Sequence, residues 1–221
     1  MTAIARYVGS DAIRSQRWIP PVVVFAAFLA IANSDAGPIL TTYADTLAVL
    51  FPIAIWLSWA ILGAEDPVQV EISMVTVGSD IRYRLGKVLT CFLGGAALSL
   101  VAVAIPVAVA APSSTDARPI AGDATAGLVA HLIVVLFAVA VGALISRPVI
   151  RRSGWAFYGA AIVIMADIGL PDAPPVRQLL SLLDGAHPHH LASSLVAIGT
   201  ETAALSAAGV ALALAVARRR S

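Results

Sequence analysis

The sequence predicts an all-α membrane protein of six transmembrane helices. An amphipathic interfacial helix precedes the first span, and a short re-entrant or interfacial segment lies between spans five and six. Three observations carry this reading. Of 221 residues, 59% are hydrophobic and 12% charged, and the mean hydropathy is +0.90. A soluble domain carries about 25% charged residues, so lipid must solvate much of this apolar surface. Six apolar runs are free of Lys and Arg, and the cations gather in alternate connections between them.

Residues 1–17 come first. Ile4, Tyr7, Val8, Asp11, Ala12 and Ser15 form a mixed face, and Arg6, Arg14 and Arg17 add charge. This pattern suits a basic helix lying along a membrane surface before a bend at Pro20-Pro21, or a frayed tail with topogenic arginines. The spans follow at about residues 18–36, 44–62, 88–110, 125–145, 155–170 and 193–217. A bilayer core about 30 Å thick needs roughly 20 apolar helical residues, so the fifth run is the shortest fit. Ala30-Ile31-Ala32 resembles a signal-peptide cleavage triplet, but the apolar run before it is long for an h-region.

The cations orient these spans. Arg6, Arg14 and Arg17 precede span one. Arg82, Arg84 and Lys87 lie between spans two and three. Arg147, Arg151 and Arg152 lie between spans four and five, and Arg218, Arg219 and Arg220 follow span six. The other side holds only Arg118 and Arg177. The positive-inside rule then puts both termini in the cytoplasm, with the chain in the inner (plasma) membrane. No nucleic-acid partner is expected.

The outer segment, residues 171–192, contains Val176, Leu179, Leu180, Leu182 and Leu183 between prolines, as a short amphipathic helix would. The cytoplasmic connection at residues 63–86 is the longest and most charged. Glu65, Asp66, Glu71 and Asp80 lead, and Arg82, Arg84 and Lys87 follow, with valine, isoleucine and methionine between. It is read as either a docking element for a soluble partner or a simple connector.

In this layout the chain resembles an ABC-2 type transporter permease, the membrane subunit of an ATP-binding cassette exporter. The likeness rests on six spans with an amphipathic lead-in and on the acid-rich segment after span two. It rests also on the run Arg82-Tyr83-Arg84-Leu85-Gly86-Lys87 entering span three, on Gly142-Ala143-Leu144-Ile145-Ser146 closing span four, and on the proline-led outer segment. It covers nearly the whole chain but is one of arrangement.

The resemblance implies a coupling helix in residues 63–86 that docks on a separate ATPase. Glu65, Asp66, Glu71, Ser73, Asp80 and Arg82 are the contact candidates. It also implies a second permease, identical or paralogous, and alternating access driven by ATP. No cofactor is expected in this chain: ATP and Mg²⁺ belong to the partner. No P-loop is present, since Gly78 and Gly86 are separated by seven residues and Val88 stands where Ser or Thr would hold Mg²⁺.

Ionisable groups at membrane depth are candidates for a translocation path, which singles out Asp167 and Glu201. Glu201 is about eight residues, roughly 12 Å, into span six. Hydration at the outer interface is the bland alternative for both. Trp56 and Trp59 could line a cavity, although packing is the commoner role. His187, His189 and His190 form a His-Pro-His-His cluster that suits a solvated turn, pH sensing or metal binding; Asp184 is nearby, but no carboxylate or thiol stands at a known metal-binding interval, so no metal is assigned. His131 is read as a hydrogen-bonded packing residue, and Cys91 as a small buried or lipid-facing one. Trp18, Trp155, Tyr7 and Tyr83 fit an inner aromatic belt and Tyr43 an outer one. Gly94, Gly95, Ala96 and Ala97, with Ala203, Ala204, Ala207, Ala208 and Gly209, would allow close helix contact. Pro52 and Pro106 are possible kinks.

Two other classes compete. A secondary carrier or channel would show inverted repeats, and spans one to three do not visibly repeat in four to six. A membrane-embedded lipid enzyme or protease would need catalytic groups at one depth, and no such constellation is present. The chain is therefore not expected to be an enzyme.

Overall fold

A computed structural model describes residues 2–34, 38–110, 120–147, 149–150, 152–170, 175–184 and 191–220. Every regular element among them is a helix: α1 (Thr2–Ser15), α2 (Ile19–Ala32), α3 (Ile39–Leu62), α4 (Pro67–Val77), α5 (Asp80–Ala110), α6 (Ile120–Ile145), α7 (Ser153–Gly169), α8 (Val176–Asp184) and α9 (Leu191–Arg220). Four of them, α3, α5, α6 and α9, are long and apolar enough to cross a membrane. The bent pair α1–α2 makes a fifth if counted as one span. These are the proportions of a multi-pass membrane protein.

Helices α3 and α6 form the centre. Leu47, Leu50, Phe51, Val134, Val135 and Ala138 are buried there. The Phe51 and Phe137 rings stack with centroids 5.7 Å apart. Two glycines set the separation. A Cβ on Gly127 would stand 2.5 Å from the Tyr43 ring, and one on Gly142 would stand 2.5 Å from Ser58 Cβ. The lower-numbered pair and the higher-numbered pair are both in contact, so α3 and α6 run parallel.

The same logic orients the others. Gly199 lies beside Ile133, and Gly209 beside Ala140 and Leu144, so α9 is parallel to α6. The Tyr43 hydroxyl donates to the Val103 carbonyl at 3.4 Å, and the Cys91 thiol points to the Ser58 carbonyl at 3.8 Å. Helix α5 is therefore antiparallel to α3. Because α6 and α9 are parallel, the chain between them must travel back along the bundle, and α7 lies on that return. Its 17 residues span about 25 Å.

Several elements differ from the sequence reading. Where the first span is expected, at 18–36, the structure has the 14-residue helix α2, about 21 Å long. Neither α2 nor α7, at the expected fifth span 155–170, is by itself among the helices long enough to cross. The bend before α2 is 80°, and it falls at residues 16–18 rather than at Pro20-Pro21. Gln16 takes the turn with φ 56°. The prolines instead occupy the first turn of α2, where a missing N–H leaves no helical bond unmade. Helix α1 does not stand apart from the bundle: it buries Val8 and Ala12 and packs on α5. Spans two, three, four and six extend beyond 44–62, 88–110, 125–145 and 193–217, to Ile39–Leu62, Asp80–Ala110, Ile120–Ile145 and Leu191–Arg220. Helices α3 and α5 continue through Pro52 and Pro106. In the segment expected to be outer, α8 buries Val176, Leu179 and Leu183 and packs on α3, with α7 and α9 also in contact.

Candidate functional site

The residue 63–86 connection is mostly helix. Only residues 63–66 separate α3 from α4, and α5 begins at Asp80. The local sequence accounts for each boundary. Asp66 is the N-cap of α4, and its carboxylate accepts from the Val68 amide at 2.9 Å. Pro67 occupies the first helical position, where its fixed φ suits a helix start. Gly78 ends α4 in the left-handed region at φ 68°, and its amide donates to the Met74 carbonyl at 3.0 Å.

Helix α4 is apolar on two sides. Val70, Met74 and Val77 pack against the core. Val68, Ile72 and Val75, four and three residues apart, point away from it and are exposed. The exposed Glu71 sits beside this stripe.

Below α4 lies a buried ionic centre. Lys87 Nζ donates to Glu65 Oε2 at 2.6 Å, and the two side chains are 7% and 1% exposed. The Tyr83 hydroxyl donates to the same carboxylate oxygen. Ser73 of α4 lies near that hydroxyl. The Lys87 ammonium also stands 5.5 Å from the Tyr83 ring centroid. Glu65 Oε1 is buried with no hydrogen-bond partner among the described residues. Lysine suits this place because a compact ammonium can focus on one oxygen, whereas a guanidinium presents a broad fork.

Further bonds tie the neighbouring elements together. Gln69 Nε2 donates to the Tyr7 hydroxyl at 3.1 Å, and Arg17 Nη1 to the Gly63 carbonyl at 2.5 Å. Arg84 pairs with Asp80 on α5 and points to Met74 Sδ at 3.8 Å. Helix α1, the end of α3, all of α4 and the start of α5 therefore form one block.

The six coupling candidates separate into different roles. Glu71 and Arg82 are exposed and available. Glu65 is buried in the ion pair, Asp66 caps α4, Asp80 pairs with Arg84, and Ser73 faces Tyr83. Tyr83 and Tyr43 are fully buried and so are not membrane-belt residues. Sequence reasoning overlooked the Glu65–Tyr83–Lys87 centre. Its one signal was that Lys87 is the only lysine among fourteen Lys and Arg residues.

The structure does not join the translocation-path candidates by hydrogen bond, ion pair or ring contact among the described residues. Asp167 is buried near the end of α7. Its Oδ2 accepts from the Val176 amide at 3.2 Å, so it caps α8 from another helix. Glu201 is exposed on α9. Trp56 and Trp59 are partly exposed, three residues apart on one side of α3. His187, His189 and His190 lie outside the described residues, and no metal-binding group of three occurs among those described. His131 has the packing role expected of it: Nδ1 donates to the Gly127 carbonyl at 2.7 Å, and Nε2 meets the Thr46 hydroxyl at 3.1 Å. On α9, Leu195, Thr202, Ser206, Ala213 and Ala217 are the buried residues, whereas Ala203, Ala204, Ala207 and Ala208 are exposed.

No protein-family model, curated protein or solved structure matches the chain.

Proposed function

We propose that the chain is the permease subunit of an ABC exporter, driven by a separate ATPase that docks on α4. One observation carries the reading: α4 exposes an apolar stripe, Val68, Ile72 and Val75, while its other side packs on the core and the connector just before it is tied to α5 by the buried Glu65–Lys87 pair. An isolated surface helix gains nothing by exposing three branched aliphatics to water, so a partner surface is their reason. Force on α4 reaches α5 and the end of α3 through Ser73, Tyr83, Glu65 and Lys87. Such a linkage suits a subunit that moves in response to another subunit's chemistry.

The topology supports the same reading. The parallel run of α3, α6 and α9, with α5 opposed, gathers the described cations of the four basic clusters at one end of the bundle. With α2 and α7 taken as short crossings, the proposal is six spans with cytoplasmic termini in an inner (plasma) membrane, in keeping with the positive-inside rule. A second permease subunit is part of the proposal. Of the four long helices, α9 is the least covered, and Glu201 lies on its open face. A charged side chain facing lipid at mid-helix costs about 2.5–3.5 kcal/mol on insertion scales, so that face suits another protein.

Crosslinking from the native membrane, followed by purification, tests the docking. An ATP-hydrolysing subunit should co-purify, and Ile72→Asp or Val75→Asp should release it without changing thermal stability. Substrate movement in proteoliposomes containing this chain alone would refute the proposal and favour a secondary carrier.

A further inference from the structure

The turn from α6 into α7 forms an open groove at the basic end of the bundle. Val149, Ile150 and Ile162 line it with Trp155, Tyr158 and Arg152. Gly159 leaves its floor low, because a Cβ there would first meet Ile145 Cγ2 at 3.5 Å. We infer that this groove is a binding site for one phospholipid with an anionic headgroup.

Four observations converge on that occupant. The aliphatic walls open onto a bare helix face: Trp155, Tyr158, Ile162 and Met165 are each more than 60% exposed, at 65%, 63%, 67% and 72%. In a chain this apolar such a face meets acyl chains. Arg152 stands at the mouth, is exposed, and pairs with no carboxylate among the described residues. It is also the N-cap residue of α7 and supplies no side-chain cap. The first-turn amides of a 17-residue helix therefore lie beside a cation, and both favour a phosphate. Finally, Trp155 and Tyr158 are adjacent, with ring centroids 6.2 Å apart. Amphipathic rings of this kind settle at headgroup depth.

The alternatives fit less well. A soluble anion would use the cation and the helix start but not the aliphatic walls. A second copy of the chain would cover the aliphatic walls, and the photolabelling described below distinguishes that case. A phosphodiester with acyl chains uses every part of the groove. The site is independent of the ATPase docking proposed above, because it shares no residue with α4 or the Glu65–Lys87 centre.

Native mass spectrometry of the detergent-purified full chain tests the site. Dioleoyl phosphatidylglycerol, dioleoyl phosphatidylcholine and inorganic phosphate would be titrated separately. One phosphatidylglycerol should be retained about fivefold more tightly than phosphatidylcholine, as expected for one cation near a headgroup. Inorganic phosphate should not compete. Arg152→Ala should remove the preference, Arg152→Lys should keep most of it, and Arg219→Ala should leave it unchanged. Equal binding of the two lipids, or an unchanged preference in Arg152→Ala, overturns the site, as does competition by inorganic phosphate. A second measurement does not depend on any variant folding. Phosphatidylglycerol carrying a photoreactive acyl chain should label residues 149–162 of the wild-type chain, and unlabelled phosphatidylglycerol should compete. Labelling elsewhere, or a dimer crosslink through this groove instead of a lipid adduct, refutes the inference.

Discussion

Replacing Lys87 with methionine removes the cation from the Glu65 carboxylate and leaves the volume nearly filled. The pair is separated by 2.6 Å. At an effective dielectric constant near 20 its gross Coulomb attraction is about 6 kcal/mol. Desolvation of two nearly dry side chains offsets much of that, so the pair adds little net stability compared with an apolar substitute. Breaking it is a different matter. The stranded carboxylate already has one oxygen without a partner, and Lys87→Met would leave only the Tyr83 hydroxyl on the other. Uncompensated buried charge of this kind costs about 3–5 kcal/mol. With about 2–4 °C per kcal/mol for a chain of this size, the midpoint of thermal unfolding should fall by roughly 6–20 °C. The double variant Glu65→Gln/Lys87→Met carries no charge and should recover to within about 1 kcal/mol of the parent. The assay is intrinsic fluorescence during heating in detergent. A single variant within 2 °C of the parent, at the scale just worked, would refute the reasoning. So would a double variant no better than the single.

Other outcomes follow from the same packing. Because Lys87 is the only lysine and its side chain is 7% exposed, an amine-reactive ester should leave it unmodified in folded protein. Peptide mass spectrometry should show its labelling rise in Glu65→Gln. Gly127→Ala forces a methyl group against Tyr43, itself fully buried, and should cost about 1–3 kcal/mol. Gly154→Ala, which meets nothing within 4 Å, should be close to neutral in the same melt. Asp167→Ala should expose α8 to hydrogen exchange by removing its cap, whereas Asp167→Asn should hold the Val176 amide through its carbonyl oxygen. Glu201→Leu should leave the thermal midpoint of the single subunit unchanged but alter the oligomer distribution by light scattering. An unaltered distribution would remove Glu201 from the subunit interface.

The membrane character was legible because it depends on sums. Long apolar runs and the placement of cations are properties of the chain that no tertiary contact can reverse. The signals that bound α4, at Asp66, Pro67 and Gly78, act on their own backbone, yet the sequence reading took residues 63–86 as one connector and placed no boundary inside it. The ends of the long helices were not legible either. Charged or polar first turns, such as Asp80 to Gly86 on α5, looked like loop until α1 and α4 packed against them. Alanines 203, 204, 207 and 208 looked like a helix contact, but 3.6-residue periodicity gives a face without saying which neighbour it meets.

Sequence alone thus determined that lipid is the solvent for much of this chain, that its regular structure is helical, and that its cations fall in alternate connections. Composition and charge order carry that information locally. Only the tertiary structure decided that Glu65, Tyr83 and Lys87 share one buried centre, because they converge across 22 residues of chain through a turn and a short helix. It alone separated the buried side of α4 from its exposed side and opened the groove at Arg152. Those features arise where helices meet, and which helices meet depends on every other contact in the bundle.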